Sequence, residues 1–228
     1  MLALIFATHK EYAAALSGVP APPQGAWQQT SVAGRPVLAA VTGVGPLNAA
    51  LCLGRMLGAH PLSGVLNMGL AGSFEIAALP LRSFSVASAE IWPEYGLRTP
   101  QGIDPRGIGF PLAQTPLGAI HDRIPLDPAA AARALGLTLP PQWPQGPSLT
   151  VSAASGDPDF ARQLHARYQP TTENMEGFAL ALGCLQASIP FLEVRTISNL
   201  VGSRDKAHWD LNGALAQLAA ALSGLFAD

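Results

Sequence analysis

The chain has 228 residues, 49% of them hydrophobic and only 12% charged, with a formal net charge of −2. That length suits one α/β domain with a sizeable buried core. The near-neutral balance, with no run of Lys or Arg, excludes the basic field that nucleic acid or an anionic membrane would require. So low a charge content points either to a face covered by a second subunit or to an alanine-rich composition.

Residues 2–7 form an apolar run stopped by His9-Lys10-Glu11, read as a buried first strand. Lacking a basic leading region, the run does not read as a secretion signal. No stretch is long enough to span a membrane. A helix is expected over residues 10–16, a second strand over 36–42 (PVLAAVT), and a helix over 46–57 after the turn Gly43-Val44-Gly45, with Pro46 at its first position. Residues 65–68 read as a third strand ending in a turn, Gly69-Leu70-Ala71-Gly72. Residues 92–147 are dense in Pro and Gly and read as an excursion able to carry a lid, helical only over 128–135 behind Asp127.

Beyond it, a strand is expected over 148–153, a helix over 159–168, a buried helix over 175–187 and a strand over 190–198, rich in branched and aromatic residues. Leu211, Leu215, Leu218, Leu222 and Leu225 recur at helical spacing and mark the core face of a last helix. The alternation of strands and helices predicts a single α/β domain over 1–228, with a mostly parallel mixed sheet between two helical layers in an α/β/α sandwich. Cys52 and Cys184 each sit in an apolar helical pattern, where a thiol acts as a small hydrophobe. This points to a reducing, cytoplasmic setting. The scattered histidines offer no metal-ligand spacing, and neither metal nor cofactor is expected.

The stretch ENMEG, residues 173–177, places Glu173 and Glu176 at the mouth of an almost wholly apolar helix. Acids at a helix N-terminus ordinarily meet the positive end of the dipole, with Thr171 or Thr172 available as a cap. A helix buried all round is a poor host for exposed acids, so at least one carboxylate must be satisfied in a crevice. In PFLEVRTISN, period-2 alternation sets Phe191, Glu193, Arg195, Ile197 and Asn199 on one face. Glu193 and Arg195 can be a structural ion pair or part of a site. Glu11, the glycine-rich ends of the second and third strands and these groups fall where one cleft can collect them.

The pairing of ENMEG with RTISN, the early GVG and the NMGLAG segment resemble the nucleoside phosphorylase and nucleosidase superfamily, whose members cleave N-glycosidic bonds of nucleosides. The resemblance implies a nucleoside phosphorylase-like fold, a small-molecule nucleoside substrate, no cofactor and a homodimer. It assigns Glu176 to the ribose hydroxyls, Met175 to packing on the sugar, Glu11 to the attacking water and Arg195 to ordering the site. Carboxylates suit both tasks, since they accept hydrogen bonds and stabilise a cationic sugar. It also places Gly43 and Val44, the segment Gly69, Leu70, Ala71 and Gly72, and Asn174, Met175 and Ser198 around the substrate. Trp209 matches an aromatic over the ligand, with core packing as the competing role.

Two departures carry information. The superfamily's phosphate-binding arginine is replaced by Asn67, and its Gly-Asp-Pro phosphate loop by Thr8-His9-Lys10-Glu11, which leaves little to hold a phosphate nucleophile and favours water. Asn199 stands where adenine-specific nucleosidases carry an aspartic acid; an amide is no general acid at neutral pH. Its NH2 suits the O6 and N7 acceptors of a 6-oxopurine, although Asn also pairs with adenine.

The fuller string ENMEG…RTISNLVGSRDKAHW resembles the futalosine hydrolase branch, which implies release of hypoxanthine in menaquinone biosynthesis. The substrate's distal carboxylate would then need a cation, for which Arg98, Arg106, Arg204 and Lys206 are candidates, each with solvated surface as the alternative. A methylthioadenosine/adenosylhomocysteine nucleosidase and a non-catalytic nucleoside-binding protein are the competing functions. Asn199 argues against the first and Glu11 against the second.

Overall fold

The computed structural model describes residues 1–115 and 118–227. The first half contains β1 (Leu2–Phe6), α1 (His9–Ala15), β2 (Ala26–Val32), β3 (Arg35–Val41), α2 (Pro46–Ala59), β4 (Gly64–Ser73) and β5 (Phe84–Ile91). Two small hairpins follow, β6 (Leu97–Thr99) with β7 (Gly102–Asp104) and β8 (Ala113–Thr115) with β9 (Gly118–Ile120), and then β10 (Arg123–Pro125) and α3 (Pro128–Leu135). The remainder is β11 (Gln145–Thr150), α4 (Pro158–Tyr168), β12 (Thr172–Asn174), α5 (Gly177–Gln186), β13 (Phe191–Leu200), a 3-10 turn at Lys206–His208 and α6 (Leu211–Leu225).

Nine strands form one mixed sheet. β1 lies parallel to both β3 and β4, and β13 runs parallel to β4 over nearly its whole length. The sheet also closes on itself, because β4 pairs β13, β13 pairs β5, β5 pairs β11, β11 pairs β12, and β12 returns to β4. A closed ring of strands has no unpaired inner edge. Polar side chains pointing into it therefore meet other side chains rather than water.

Alternation along β1 builds the two helical layers. Leu2, Leu4 and Phe6 pack into one core with α1, α3 and α6, while Ala3 and Ile5 pack into the other with α2 and α5. Each fully buried Leu or Phe of these cores stabilises the fold by roughly 1.5–3 kcal/mol. This is the α/β/α sandwich expected from the alternating pattern. Cys52 and Cys184 are free, buried and part of the second core.

Several elements differ from expectation, each for a local reason. The segment Gly69-Leu70-Ala71-Gly72 is no turn: β4 continues through it for ten residues, held by β13 from Phe191↔Val65 to Leu200↔Ser73. The segment 172–174 is a short strand, so α5 starts at Gly177. Strand β2 pairs antiparallel with β3 at the sheet edge, where half-exposed Gln and Thr side chains replace the usual apolar alternation. Within the last helix Leu218, Leu222 and Leu225 are buried, whereas Leu211 stays 47% exposed and belongs to the site described next.

Candidate active site

A cleft of about 200 Å³ opens where β1, β4, β12 and β13 meet. Glu11 enters it through a local device. Thr8 caps α1, its Oγ1 accepting the Glu11 N–H at 3.2 Å while Glu11 Oε2 accepts the Thr8 N–H at 2.8 Å, a reciprocal capping box. The other oxygen, Oε1, accepts the N–H of Leu70 at 2.8 Å. A carboxylate oxygen takes more than one donor, so Oε1 can still face a ligand. Close approach explains Gly69, since a Cβ there would sit 2.6 Å from Glu11 Oε1 and 2.7 Å from Arg195 Nη1.

Glu176 opens α5 without capping it. Its Oε1 accepts the N–H of Gly45 at 3.0 Å, and Gly45 is the cap of α2, so the carboxylate lies at the positive end of a different helix. Gly45 adopts φ 98°, a conformation that suits glycine. The start of α5 is satisfied instead by Asn174 Oδ1, which accepts from Glu176 N at 2.8 Å and Gly177 N at 2.7 Å, and by Thr150 Oγ1, which accepts from Phe178 N at 2.7 Å. Neither Thr171 nor Thr172 caps it. Burial pushes the Glu176 carboxyl up, opposed by Arg195 and the Gly45 N–H.

Arg195 is buried behind the cleft wall. Its Nε donates to Glu193 at 3.0 Å, its Nη1 lies 3.6 Å from Glu176 Oε2, and its Nη2 donates to Asn174 Oδ1 at 3.3 Å. Burial works against the charge, but Glu193, Glu176 and Glu11 outweigh it and raise the pKa. The ion pair with Glu193 and the link to the cleft carboxylate therefore coexist. Asn67 donates to Glu193 at 3.2 Å and belongs to this buried floor, away from the cleft surface.

A bulge between Ile197 and Asn199 breaks the alternation of β13 and brings both Ser198 and Asn199 onto the cleft. The Ser198 hydroxyl lies 2.8 Å from Asn199 Oδ1 as donor, while Asn199 Nδ2 donates to Leu200 O at 3.2 Å. Trp209 borders the opening, its indole N–H donating to Ser203 O at 2.8 Å and its ring 5.6 Å beneath the Arg204 guanidinium. It joins none of the core clusters formed by the described residues. Glu173 accepts the Ser155 N–H at 2.9 Å and its hydroxyl at 2.6 Å, tying the 152–157 loop to the cleft, and burial pushes its carboxyl up.

The cleft surface thus gathers Glu11, Val44, Leu70, Ala71, Gly72, Asn174, Met175, Glu176, Ser198, Asn199 and Trp209. Arg195 and Gly69 lie directly behind it. Gly43 is set apart: its N–H donates to Ala7 O at 2.9 Å, and a Cβ would collide with the Gln24 side chain.

Residues 3–227 match the phosphorylase superfamily. The chain is 35% identical over 190 residues to futalosine hydrolase of Thermus thermophilus, covering 82% of this chain and 80% of the relative. Futalosine hydrolase of Streptomyces coelicolor is 33% identical, covering 80% of this chain and 75% of the relative. The chain belongs to the futalosine hydrolase family of the phosphorylase superfamily. A futalosine hydrolase mutant of Helicobacter pylori superposes with a TM-score of 0.75 at 19% identity, over 98% of this chain and 96% of that one, which speaks for the fold alone.

Of the cations offered to the distal end of the family's substrate, only Arg204 borders the cleft. Arg98 faces a separate cavity of about 780 Å³ beside α4, and the side chains of Arg106 and Lys206 are exposed. None of the described residues of the 92–147 excursion, read as able to carry a lid, lines the cleft. Its first hairpin packs on α4, where Arg167 donates to the Ile103 carbonyl. The Thr8-x-x-Glu11 spacing is a capping-box pattern that the sequence carries in plain sight, and Ser155, in a turn near which the family resemblance implies base contacts, lies on the cleft. Glu90, fully buried beneath the site, had no such signal.

Proposed function

We propose that this chain hydrolyses the N-glycosidic bond of futalosine and releases hypoxanthine, a step of menaquinone biosynthesis. The observation that carries this reading is the convergence of Glu11, Glu176 and Asn199 on one cleft from three distant parts of the chain, in a chain of this family. Glu11 accepts a proton from the attacking water, and its capping box holds the carboxylate in place before substrate arrives. Glu176 accepts hydrogen bonds from the ribose hydroxyls. Together the two carboxylates stabilise the positive charge that builds on the sugar as the base departs. Asn199 presents its amide to the leaving base, and Trp209 and Met175 supply apolar surface.

Water is favoured over phosphate by the wall itself: among the described residues lining the cleft, Arg204 at its exposed mouth is the sole guanidinium or ammonium group. The competing methylthioadenosine nucleosidase activity would call for a proton donor at position 199, which an amide does not provide. The test is to incubate purified protein with futalosine, inosine and methylthioadenosine, each with and without phosphate, and to separate the products by chromatography. Phosphate-independent release of hypoxanthine from futalosine is expected. Preferential cleavage of methylthioadenosine would overturn the assignment.

The same proposal includes a cytoplasmic homodimer. It is supported by two unpaired buried cysteines and by the absence, among the described residues, of a helix long and apolar enough to cross a membrane. An apolar groove of about 520 Å³ between α2 and α5 adds to it, beside which Leu47 and Leu51 are 79% and 68% exposed. Light scattering should give twice the mass of the chain, and Leu51→Glu should halve it.

A further inference from the structure

Beneath the cleft lies an acid cluster that the proposed chemistry does not use. Glu90 on β5 and Glu193 on β13 are each 0% exposed, and each directs an oxygen at the Cα of Gly177, where a Cβ would collide with both. The two carboxyl groups are within hydrogen-bonding reach of one another. With Glu176 and Glu11 they make four buried carboxylates around a single buried guanidinium, Arg195. Burying anions in such excess over cations is prohibitive unless a proton is retained.

The hydrogen bonds show where that proton is needed. Thr150 Oγ1 accepts the Phe178 N–H and lies 2.5 Å from Glu90 Oε2 and 3.2 Å from Asn174 Oδ1. Asn174 Oδ1 already accepts from Glu176 N, Gly177 N and Arg195 Nη2, so the hydroxyl proton goes to Glu90, whereas the Glu90 to Glu193 contact, between two carboxyl groups, has no donor of its own. A proton on Glu90 supplies a missing donor. The other groups facing Glu90 are fixed in charge or neutral: Arg195 on β13, Asn174 on β12, Ser148 opposite it on β11, Ile124 opposite it on β10, and the Gly177 end of α5.

Resting on the nucleosidase reading above, we propose that Glu90 is a protonated positioning residue which, paired with Glu193, holds Asn174 and Arg195 and through them the sugar-binding Glu176. Asn174 is the relay. Its Nδ2 is held by Glu90 at 2.9 Å, Ser148 at 2.8 Å and Glu193 at 3.2 Å, while its Oδ1 holds the backbone N–H of Glu176 and the guanidinium of Arg195. Ionisation of Glu90 would set two anions against each other under this relay and disturb the sugar-binding carboxylate. Burial and the neighbouring Glu193 push the Glu90 carboxyl well above its ordinary range, outweighing Thr150 and Arg195, in accord with this geometry.

The test uses the whole chain and two variants. Difference infrared spectroscopy of wild type against Glu90→Gln at neutral pH should show a protonated-carboxyl C=O stretch that the variant lacks, a readout that needs no substrate. In kcat/KM profiles wild type should lose activity at alkaline pH, whereas Glu90→Gln, whose amide replaces the O–H donor, should stay within about threefold of wild type and lack that loss. Glu90→Ala should fall about a hundredfold, as expected when a site is displaced from a distance. An infrared difference without the carboxyl band, or a Glu90→Gln profile that keeps the alkaline loss, would overturn the proposal. An infrared band in a protein that fails to cleave futalosine would sink the function above and leave the proton on Glu90 standing.

Discussion

The floor and the rim of the cleft are built on opposite principles. On the floor, Glu11, Glu176, Arg195, Asn174 and Glu193 are each no more than 5% exposed and held by several hydrogen bonds or ion pairs. At the rim, Asn199, Trp209 and Arg204 are half-buried or exposed, and their contacts come mainly from one short loop. A floor of this kind fixes charges before the ligand arrives, which is where electrostatic catalysis gains most. The rim can change without disturbing the fold, which is how one scaffold serves different leaving bases.

The sharpest way to break this comparison is at Glu11. Glu11→Gln should lower kcat by about 10²–10⁴-fold, the range for loss of a general base, while circular dichroism stays unchanged. If most of the turnover survived, the floor would hold no base. Next in size is Arg195→Met, which leaves Glu193 and Glu176 facing each other and should cost about 3–5 kcal/mol of stability in urea unfolding. A cost no greater than that of a surface substitution would mean that Arg195 is not the hub.

The rim should respond in specificity instead. Asn199→Asp should move preference toward adenine nucleosides by about 10–100-fold in relative kcat/KM, with unfolding free energy changed by less than about 0.5 kcal/mol. An unchanged preference would remove Asn199 from base recognition. Arg204→Ala should raise KM for a substrate bearing a distal carboxylate several-fold and leave kcat alone, since exposed charge contacts contribute about 1 kcal/mol or less.

The floor also predicts a pH dependence. Glu90, Glu173 and Glu176 all have folded pKa values raised from the ordinary 4.5, mainly by burial. The folded state then binds these protons more tightly than the unfolded one, so their contribution to stability is greatest below the ordinary value and falls as pH rises through the raised ones. For catalysis the sign is reversed: the proposed role of Glu176, stabilising positive charge on the sugar, requires the ionised form, so the acid limb of kcat/KM should lie above the ordinary carboxylate range. Urea unfolding and kinetics over the same pH series should diverge in this way; parallel curves would argue against the assignment.

Much of this arrangement was legible in the sequence because its residues sit in short local patterns. ENMEG and RTISN announce Glu176, Arg195 and Asn199 together, and the apolar strand before Thr8 points to Glu11. What the sequence concealed is long-range. Glu90 lies in a run of small residues on β5 and meets Thr150 and Asn174, 60 and 84 residues away, only because the sheet closes. Strand β12 was hidden because its three residues contain two polar side chains and an acid that suit a helix start equally well. The glycines of β4 looked like a turn because glycine there serves a side-chain approach, a tertiary cause with no local signature.

Gly69 has a consequence for how this chain can drift. Along a central strand an alanine would pass unnoticed by pattern or hydropathy, yet at this position a single methyl group would collide with both the Glu11 carboxylate and the Arg195 guanidinium. The room left between these two charged side chains and the strand is therefore less than one carbon atom, buried out of sight of any surface comparison.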